Sequence, residues 1–201
     1  YNAKYGIVKT IRNTNQEELE DMKATGIVRR VDELGRLVIP KEIRRTLRIK
    51  ESDPLEIFTD RDGKIILKKY SPIGELGDFA KEYAQSLAQV SGYTVCIADH
   101  DQIIAASGKR AKEYAGRLID EELETVILNR KTVKLAKKEA VRLTQNDAGG
   151  YQSQVISVIT SLGDCVGAVI IFSENGETEL GETEIKLAKA AAGFLGRQME
   201  Q

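Results

Sequence analysis

Hydrophobic positions recur at two spacings along the chain, and the spacing predicts where strands and helices lie. Up to residue 70 the apolar residues stand in short runs rich in Ile, Val and Leu, at 27–31, 37–39, 55–59 and 64–68. Such runs are typical of strands. Pro40 ends the second run and suits the first turn of a helix, where its missing N–H is not needed. Asp62 and Gly63 separate the last two runs as a hairpin turn. The predicted order is strand, strand, short helix, strand, strand.

After residue 70, helical spacing alternates with further strand-like runs. Apolar residues three and four apart predict helices over 73–90, 111–118, 120–129 and 181–199. Predicted strands occupy 93–98, 102–106, 151–161 and 165–173. The only histidine, His100, falls in the turn between the first two of these strands, where we expect it to be exposed. The pattern indicates an antiparallel sheet with helices before, within and after it.

Charge is divided between the same two parts of the chain. Residues 22–70 hold 13 Lys or Arg against 8 Asp or Glu, whereas residues 71–201 hold 14 against 19. A basic segment joined to an acidic one indicates that the basic part meets a polyanion, although an ordinary solvated charge pattern is the alternative. Residues 1–21 precede an internal methionine and end in an acidic stretch, and we expect them to form a flexible extension.

Composition excludes several classes of protein. With 201 residues, 41% of them hydrophobic and 30% charged, the chain can bury the cores of two small domains. It has no apolar run of membrane-spanning length and no secretory signal pattern, so we expect a soluble, cytoplasmic protein without membrane contact. Cys96 and Cys165 lie far apart in apolar segments and are expected to be buried and inert. A single histidine excludes mechanisms that need two imidazoles and most multi-histidine metal centres. With no cofactor signature and both cysteines in apolar segments, the sequence predicts no metal site, no cofactor and no enzymatic activity.

The basic part carries a recognisable motif. KATGIVRRVDELGRLVIPKEIRRTLRI, followed by DPLEIFTDRDGKIILKKY, resembles the AbrB-type swapped-hairpin DNA-binding domain over residues 22–70. The resemblance implies a homodimer that interleaves its hairpins and binds double-stranded DNA. It assigns DNA contacts to Arg29, Arg36, Arg44 and Arg45, and Arg30 stands where the relatives have a basic residue, so that we predict all five to bind DNA. Arginine suits this role because its planar, permanently charged fork can grip a phosphate or a guanine edge with two hydrogen bonds. The alternative for each arginine is an ion pair with Asp32, Glu33 or Glu42 that stabilises the dimer.

The acidic part is similar to a GAF domain. The resemblance rests on the order of its elements and on the stretch GDCVGAVIIFS. The fold class is therefore α+β, with an AbrB-type β-barrel domain at 22–70 and a GAF-like domain of antiparallel sheet and flanking helices at 73–201. GAF domains hold small molecules between the sheet and an excursion, here residues 107–150, but the sequence names no ligand, and an empty pocket remains the alternative. Lysines in the excursion, Lys131, Lys134, Lys137 and Lys138, fit a solvated helix face as well as an anion site.

The two parts joined in this order resemble a family of sporulation transcription regulators of spore-forming Firmicutes. The resemblance implies an activator or repressor of late sporulation genes in the forespore. It also implies a homotetramer assembled through the first and last GAF helices, with packing of these helices inside one subunit as the alternative. Two other functions remain open. AbrB-type domains also occur in antitoxins, and a metabolite-sensing regulator unrelated to sporulation could use the same two domains.

Overall fold

The computed structural model describes residues 25–51 and 53–200. The contacts within the chain divide it into two compact units, one up to Ile49 and one from Lys50 onward. The extension expected at residues 1–21 lies outside the described residues.

The described part of the first unit, residues 25–49, consists of extended chain, one turn and one helix. Residues 25–40 contain no helix or strand, and helix α1 follows at Lys41–Thr46. Pro40 is the N-cap residue, directly before the first helical turn in which it was predicted, and its φ of −57° suits helix entry. The strands predicted at 27–31 and 37–39 are absent from the described chain, so that prediction is wrong for a single subunit. A strand needs a neighbour for its N–H and C=O groups, and these residues form no ladder with any other described residue.

The second unit begins with a hairpin. Strands β1 (Leu55–Thr59) and β2 (Ile65–Lys69) pair in antiparallel register from Leu55 opposite Lys69 to Thr59 opposite Ile65. Gly63 in the turn adopts a φ of +80°, which only glycine enters without strain. The Asp60 carboxylate accepts the N–H groups of Asp62 and Lys64 at 3.0 and 2.8 Å. The predicted hairpin is confirmed within one residue at each strand.

A five-stranded antiparallel sheet forms the centre of this unit. Its strands are β3 (Thr94–Ala98), β4 (Ile103–Ser107), β5 (Val133–Ala136), β6 (Tyr151–Ser161) and β7 (Asp164–Glu174), in the spatial order β4-β3-β7-β6-β5. The four strands predicted here are confirmed. Strand β5 was not predicted, because a four-residue edge strand between polar turns has too few apolar residues to show a period of two.

Helices cover both faces of the sheet. They are α2 (Pro72–Glu75), α3 (Gly77–Ser91), α4 (Ala111–Tyr114), α5 (Glu121–Leu128) and α6 (Glu182–Gln198). The predicted helix at 73–90 is interrupted at Leu76, and the one at 111–118 ends after one turn, before Gly116 at a φ of +72°. Gly92, at a φ of +76°, ends α3.

The alternating side chains of β7 explain why its sequence reads as a continuous apolar run. Val169 and Ile171 face a core formed with α2, α3 and α6, whereas Ile170 and Phe172 face a second core beneath α4 and α5. A strand covered on both faces needs apolar residues at every position. Among the described helices, none is both long enough and apolar enough to cross a bilayer.

Candidate nucleic-acid interface and cavity

The five arginines predicted to contact DNA all lie in the first unit and are all exposed: Arg29, Arg30, Arg36, Arg44 and Arg45. The first two stand on extended chain, the third follows the turn, and the last two lie on α1. Residues 25–49 hold seven Lys or Arg against three Asp or Glu. The described part of this unit therefore presents a basic surface on which arginine predominates.

Asp32 organises the turn that carries Arg36. Its carboxylate accepts the N–H groups of Leu34 and Arg36 at 3.0 and 2.8 Å, and also the Arg36 Nε–H at 2.7 Å. Hydrogen bonds from the backbone and then the side chain of Arg36 lower the pKa of Asp32. The Arg36 side chain stays 70% exposed, so its terminal nitrogens remain open to another acceptor.

Ion pairing, the alternative role for the arginines, therefore applies to Arg36. The other four form no ion pair with any described residue. Their charges are not neutralised within this part of the chain, as a phosphate-binding surface requires.

Large apolar side chains are exposed in the segment that resembles the swapped-hairpin domain. In the first unit, Val28 is 88% and Val38 is 72% exposed, and on the hairpin Ile57 is 65% and Ile65 is 70% exposed. Exposed apolar residues in such number mark a surface that packs against another protein.

A cavity of about 450 Å³ opens on the α4 side of the second unit. Its wall is built from α4, the residues after it and a loop before β6: Arg110, Glu113, Tyr114, Gly116, Arg117, Leu118, Thr144, Gln145, Asn146, Asp147 and Ala148. All of these residues belong to the excursion at 107–150 and none lies on a strand, whereas the resemblance implied a pocket between the excursion and the sheet.

Asp147, in the wall of this cavity, is the centre of a network of hydrogen bonds. Its carboxylate accepts the N–H groups of Leu143 and Gly149 at 2.7 and 2.8 Å, and a hydrogen bond from the Tyr151 hydroxyl. The hydroxyls of Tyr114 and Tyr151 are 2.9 Å apart. Burial is the main cause that raises the pKa of both tyrosines, so they stay neutral at physiological pH.

Arg110 closes one side of the same cluster. Its guanidinium donates to the Gly149 carbonyl at 2.8 Å, pairs with Glu113 at 2.7 Å and lies 5.3 Å from the centre of the Tyr114 ring. The hydrogen bond to Glu113 is the main cause that raises the pKa of Arg110. Sequence reasoning missed this cluster because its members are up to 41 residues apart. The one local signal was the run Asp147 to Tyr151, which contains two adjacent glycines.

Of three residues singled out in the sequence, Cys96 has the predicted environment, whereas Cys165 and His100 differ from expectation. Cys96 is buried, as predicted, and burial raises the pKa of its thiol. Cys165 is half-buried at the start of β7. His100 is not freely exposed, because its Nε2 lies 2.7 Å from the Cys165 carbonyl oxygen.

The four lysines of the excursion do not share a helix face. Lys134 lies on β5, 3.7 Å from Glu179. The other three, Lys131, Lys137 and Lys138, lie outside helices and strands. The helical alternative for these lysines was therefore wrong.

The outer faces of α3 and α6 share an aromatic cluster. Phe79, Tyr83 and Phe194 have ring centroids 5.4 to 6.0 Å apart, and none of the three is buried. Val90, near the end of α3, is 75% exposed. These two helices therefore pack together inside one subunit and also present apolar surface outward.

Comparison with known proteins assigns the two parts of the chain. The family described as "Stage V sporulation protein T C-terminal, transcription factor" matches residues 75–200. The family described as "Antidote-toxin recognition MazE, bacterial antitoxin" matches residues 28–75.

Individual relatives agree with this assignment. Stage V sporulation protein T of Bacillus subtilis is 54% identical over 180 residues, which are 90% of this chain and 100% of that protein. The transition state regulatory protein AbrB of the same organism is 72% identical over 51 residues, 25% of this chain and 52% of that protein. The GAF domain of an Acinetobacter phosphoenolpyruvate-protein phosphotransferase shares the fold, with a TM-score of 0.51 at 12% identity over 66% of this chain and 84% of that one. The chain, with its AbrB-type N-terminal domain and GAF-like C-terminal domain, belongs to the stage V sporulation protein T family of transcription factors.

Proposed function

We propose that this sporulation transcription regulator binds double-stranded DNA through Arg29, Arg30, Arg36, Arg44 and Arg45. The observation that carries the proposal is the exposed arginine surface of residues 25–49, on which only Arg36 of the five pairs with an acidic residue among those described. Arg36 is held by the Asp32 turn in a fixed backbone conformation. A pre-organised guanidinium loses less conformational entropy when it binds a phosphate.

The DNA-binding form is a homodimer through residues 22–70. The exposed Val28, Val38, Ile57 and Ile65 support this assignment, because a second copy would remove their apolar surface from water. Interleaved hairpins would also supply ladder partners for the two segments that form no strand in the single chain. The family matches at 28–75 and 75–200 support a division into a DNA-binding domain at 22–70 and a GAF-like domain at 73–201.

Two such dimers assemble into a homotetramer through α3 and α6. The support is the partly exposed cluster of Phe79, Tyr83 and Phe194, together with the exposed Val90 on the same helix as the first two. Aromatic side chains in this position are typical anchors of protein interfaces. A tetramer would bring two DNA-binding dimers onto one operator region and increase the avidity of binding.

The cavity beside Asp147 is the site of an unidentified small-molecule ligand. Its volume of about 450 Å³ lies within the range of small-molecule sites. Arg117, Gln145 and Asn146 supply polar groups at its wall. The proposal includes no enzymatic step, since burial raises the pKa of both Cys96 and Cys165 and so disfavours the reactive thiolate.

The regulator acts in the cytoplasm of the forespore, where its target genes are transcribed. The identity of 54% to a stage V sporulation protein supports late action, and activation or repression then depends on where the operator lies relative to each promoter. The antitoxin alternative is less well supported, since the antitoxin family covers only residues 28–75 whereas a transcription-factor family covers 75–200.

The test is fluorescence anisotropy of labelled duplex DNA with the full chain across a salt series. Arg36→Ala and Arg44→Ala are compared with Arg61→Ala, an exposed arginine in the hairpin turn that serves as a matched loss of charge. Each phosphate contact contributes about 0.9 to the slope of log affinity against log salt, so losing one arginine from both subunits should flatten it by about 1.8. Arg61→Ala should leave the slope nearly unchanged. An intact oligomer that fails to bind DNA at low salt would refute the proposal.

A further inference from the structure

Lys69, the last residue of β2, ties the hairpin to the body of the GAF-like domain. Its ammonium lies 2.7 Å from Asp101 Oδ2 and 3.1 Å from Asp53 Oδ2. Only about a quarter of each of these three side chains is exposed, at 24%, 27% and 23% respectively. Although burial alone would lower it, hydrogen bonds to the two carboxylates raise the pKa of Lys69. This ion cluster is therefore screened less by solvent than an ordinary surface pair.

Asp101 belongs to the β3–β4 turn at residues 99–102, which holds the connector after the hairpin as well. Asp99 accepts the N–H groups of Asp101 and Gln102, both at 2.7 Å, and so shapes the turn. Its other carboxylate oxygen accepts the hydroxyl of Ser71 at 2.8 Å. The same Ser71 oxygen caps α2 by accepting the Gly74 N–H at 3.1 Å. Hairpin and connector are thus bound to one turn by side chains two residues apart, Lys69 and Ser71.

The opposite side of this turn is bonded to the wall of the cavity. The Ile119 N–H donates to the Asp101 carbonyl, and the Ile103 N–H donates to the Arg117 carbonyl, both at 2.9 Å. Gln102 pairs with Leu118 as an isolated bridge. Arg117 and Leu118 line the cavity. A displacement of the cavity wall would therefore reach Asp101 through the backbone, without an intervening flexible segment.

We propose that the turn at residues 99–102 couples the cavity to DNA binding, with the Lys69–Asp101 ion pair as the latch that fixes the hairpin on the GAF-like domain. The inference rests on the proposed function, because the hairpin belongs to the DNA-binding domain assigned above. When the latch is closed, the hairpin is already held in one orientation, so the protein loses little conformational entropy when it binds DNA. When the turn moves, the hairpin gains freedom and DNA affinity falls.

Two single substitutions open the latch, and they change the charge in opposite directions. Lys69→Met removes a positive charge, and Asp101→Asn removes a negative one. By charge alone, the first should weaken DNA binding and the second should strengthen it. The latch predicts that both weaken it. Lys68→Met is the matched control, since Lys68 is the neighbouring exposed lysine on β2 and forms no ion pair with any described residue.

Backbone hydrogen exchange of the DNA-free full chain tests the latch, and anisotropy of labelled duplex DNA at several salt concentrations tests the coupling. We expect amides of residues 65–71 to exchange about three- to tenfold faster in Lys69→Met and Asp101→Asn, and DNA affinity to fall by a similar factor in both. Lys68→Met should leave exchange unchanged. In the double variant, exchange should be no faster than in Lys69→Met alone, because removing Lys69 already breaks its ion pair with Asp101.

Different results overturn different statements. Unchanged exchange in both latch variants would overturn the latch whatever happens to DNA binding. Faster exchange with DNA affinities that move in opposite directions would overturn the coupling, since charge alone would explain them. If the unsubstituted chain does not bind DNA at low salt, the proposed function fails, and this result is distinguished from the other two because no substitution is involved.

Discussion

Two glycines on α6 allow the packing of this helix against the sheet to be measured by a matched pair of substitutions. An ideal Cβ at Gly196 would lie 2.1 Å from the Thr160 carbonyl oxygen on β6. Real Cβ atoms essentially never lie within 3.0 Å of such an atom, so the helix would have to move away from the sheet by roughly 1 Å. A Cβ at Gly193, three residues earlier, would meet only the end of the flexible Arg197 side chain at 3.6 Å.

The two alanine variants should therefore change stability in opposite directions. Both gain about 1 kcal/mol of helix propensity. Gly193→Ala should be stabilised by up to about 1 kcal/mol, whereas Gly196→Ala should lose about 1–3 kcal/mol because a backbone oxygen cannot rotate out of the way. The expected gap between them is about 2–4 kcal/mol.

Urea unfolding of the full chain, followed by circular dichroism, measures this gap. Sedimentation of both variants is needed alongside, because the outer face of α6 belongs to the proposed tetramer interface. If Gly196→Ala were as stable as Gly193→Ala at equal oligomeric state, the close approach of α6 to β6 would be refuted.

Three further predictions concern the turn, the cavity and the assembly. Asp32→Ala should weaken DNA binding in an anisotropy titration, because it releases the turn that positions Arg36. The loss of a negative charge by itself would strengthen binding, so tighter binding would contradict this role of Asp32. The pKa of Tyr151 is raised in the folded chain. The neutral hydroxyl therefore contributes fully to the free energy of unfolding below the pKa of an unfolded tyrosine, about 10, and this contribution is lost as the pH rises above that value. Tyr151→Phe should reduce this alkaline loss, measured as urea midpoints between pH 8 and 11, and an unchanged pH dependence would contradict it. In light scattering, tetramers of Phe194→Ala should dissociate to dimers at protein concentrations about tenfold or more higher than tetramers of the unsubstituted chain do. A variant tetramer as stable as the unsubstituted one would argue against the α3–α6 interface.

The latch and the arginine surface suggest how the two domains work together. In the proposed function, the arginines of the first unit would provide the affinity for DNA, and that affinity would depend on salt because it is electrostatic. The Lys69–Asp101 pair adds nothing to the contacts with DNA, but it limits the orientations of the hairpin. Regulation through such a pair would change affinity without altering which bases are contacted, so operator preference and response to a ligand could be changed by separate substitutions.

Features of the chain that depend on near neighbours were predictable from the sequence. The hairpin at 55–69 follows from Asp62 and Gly63 between two apolar runs, and α6 follows from apolar residues at helical spacing. The arginines could be assigned as candidates because their motif is local. In each case the deciding interactions join residues only a few positions apart, which a sequence pattern records directly.

Only the tertiary structure decided the features that depend on distant partners. Arg110 and Asp147 both line the cavity, and Lys69 and Asp101 form the latch. The members of each pair lie too far apart in the sequence for a local pattern to predict their contact. The segments at 27–31 and 37–39 have strand-like sequences but form no strand in one subunit, because a strand exists only where another strand satisfies its backbone. Side-chain pattern along a chain specifies which face is apolar, whereas the partner of that face is set by three-dimensional packing.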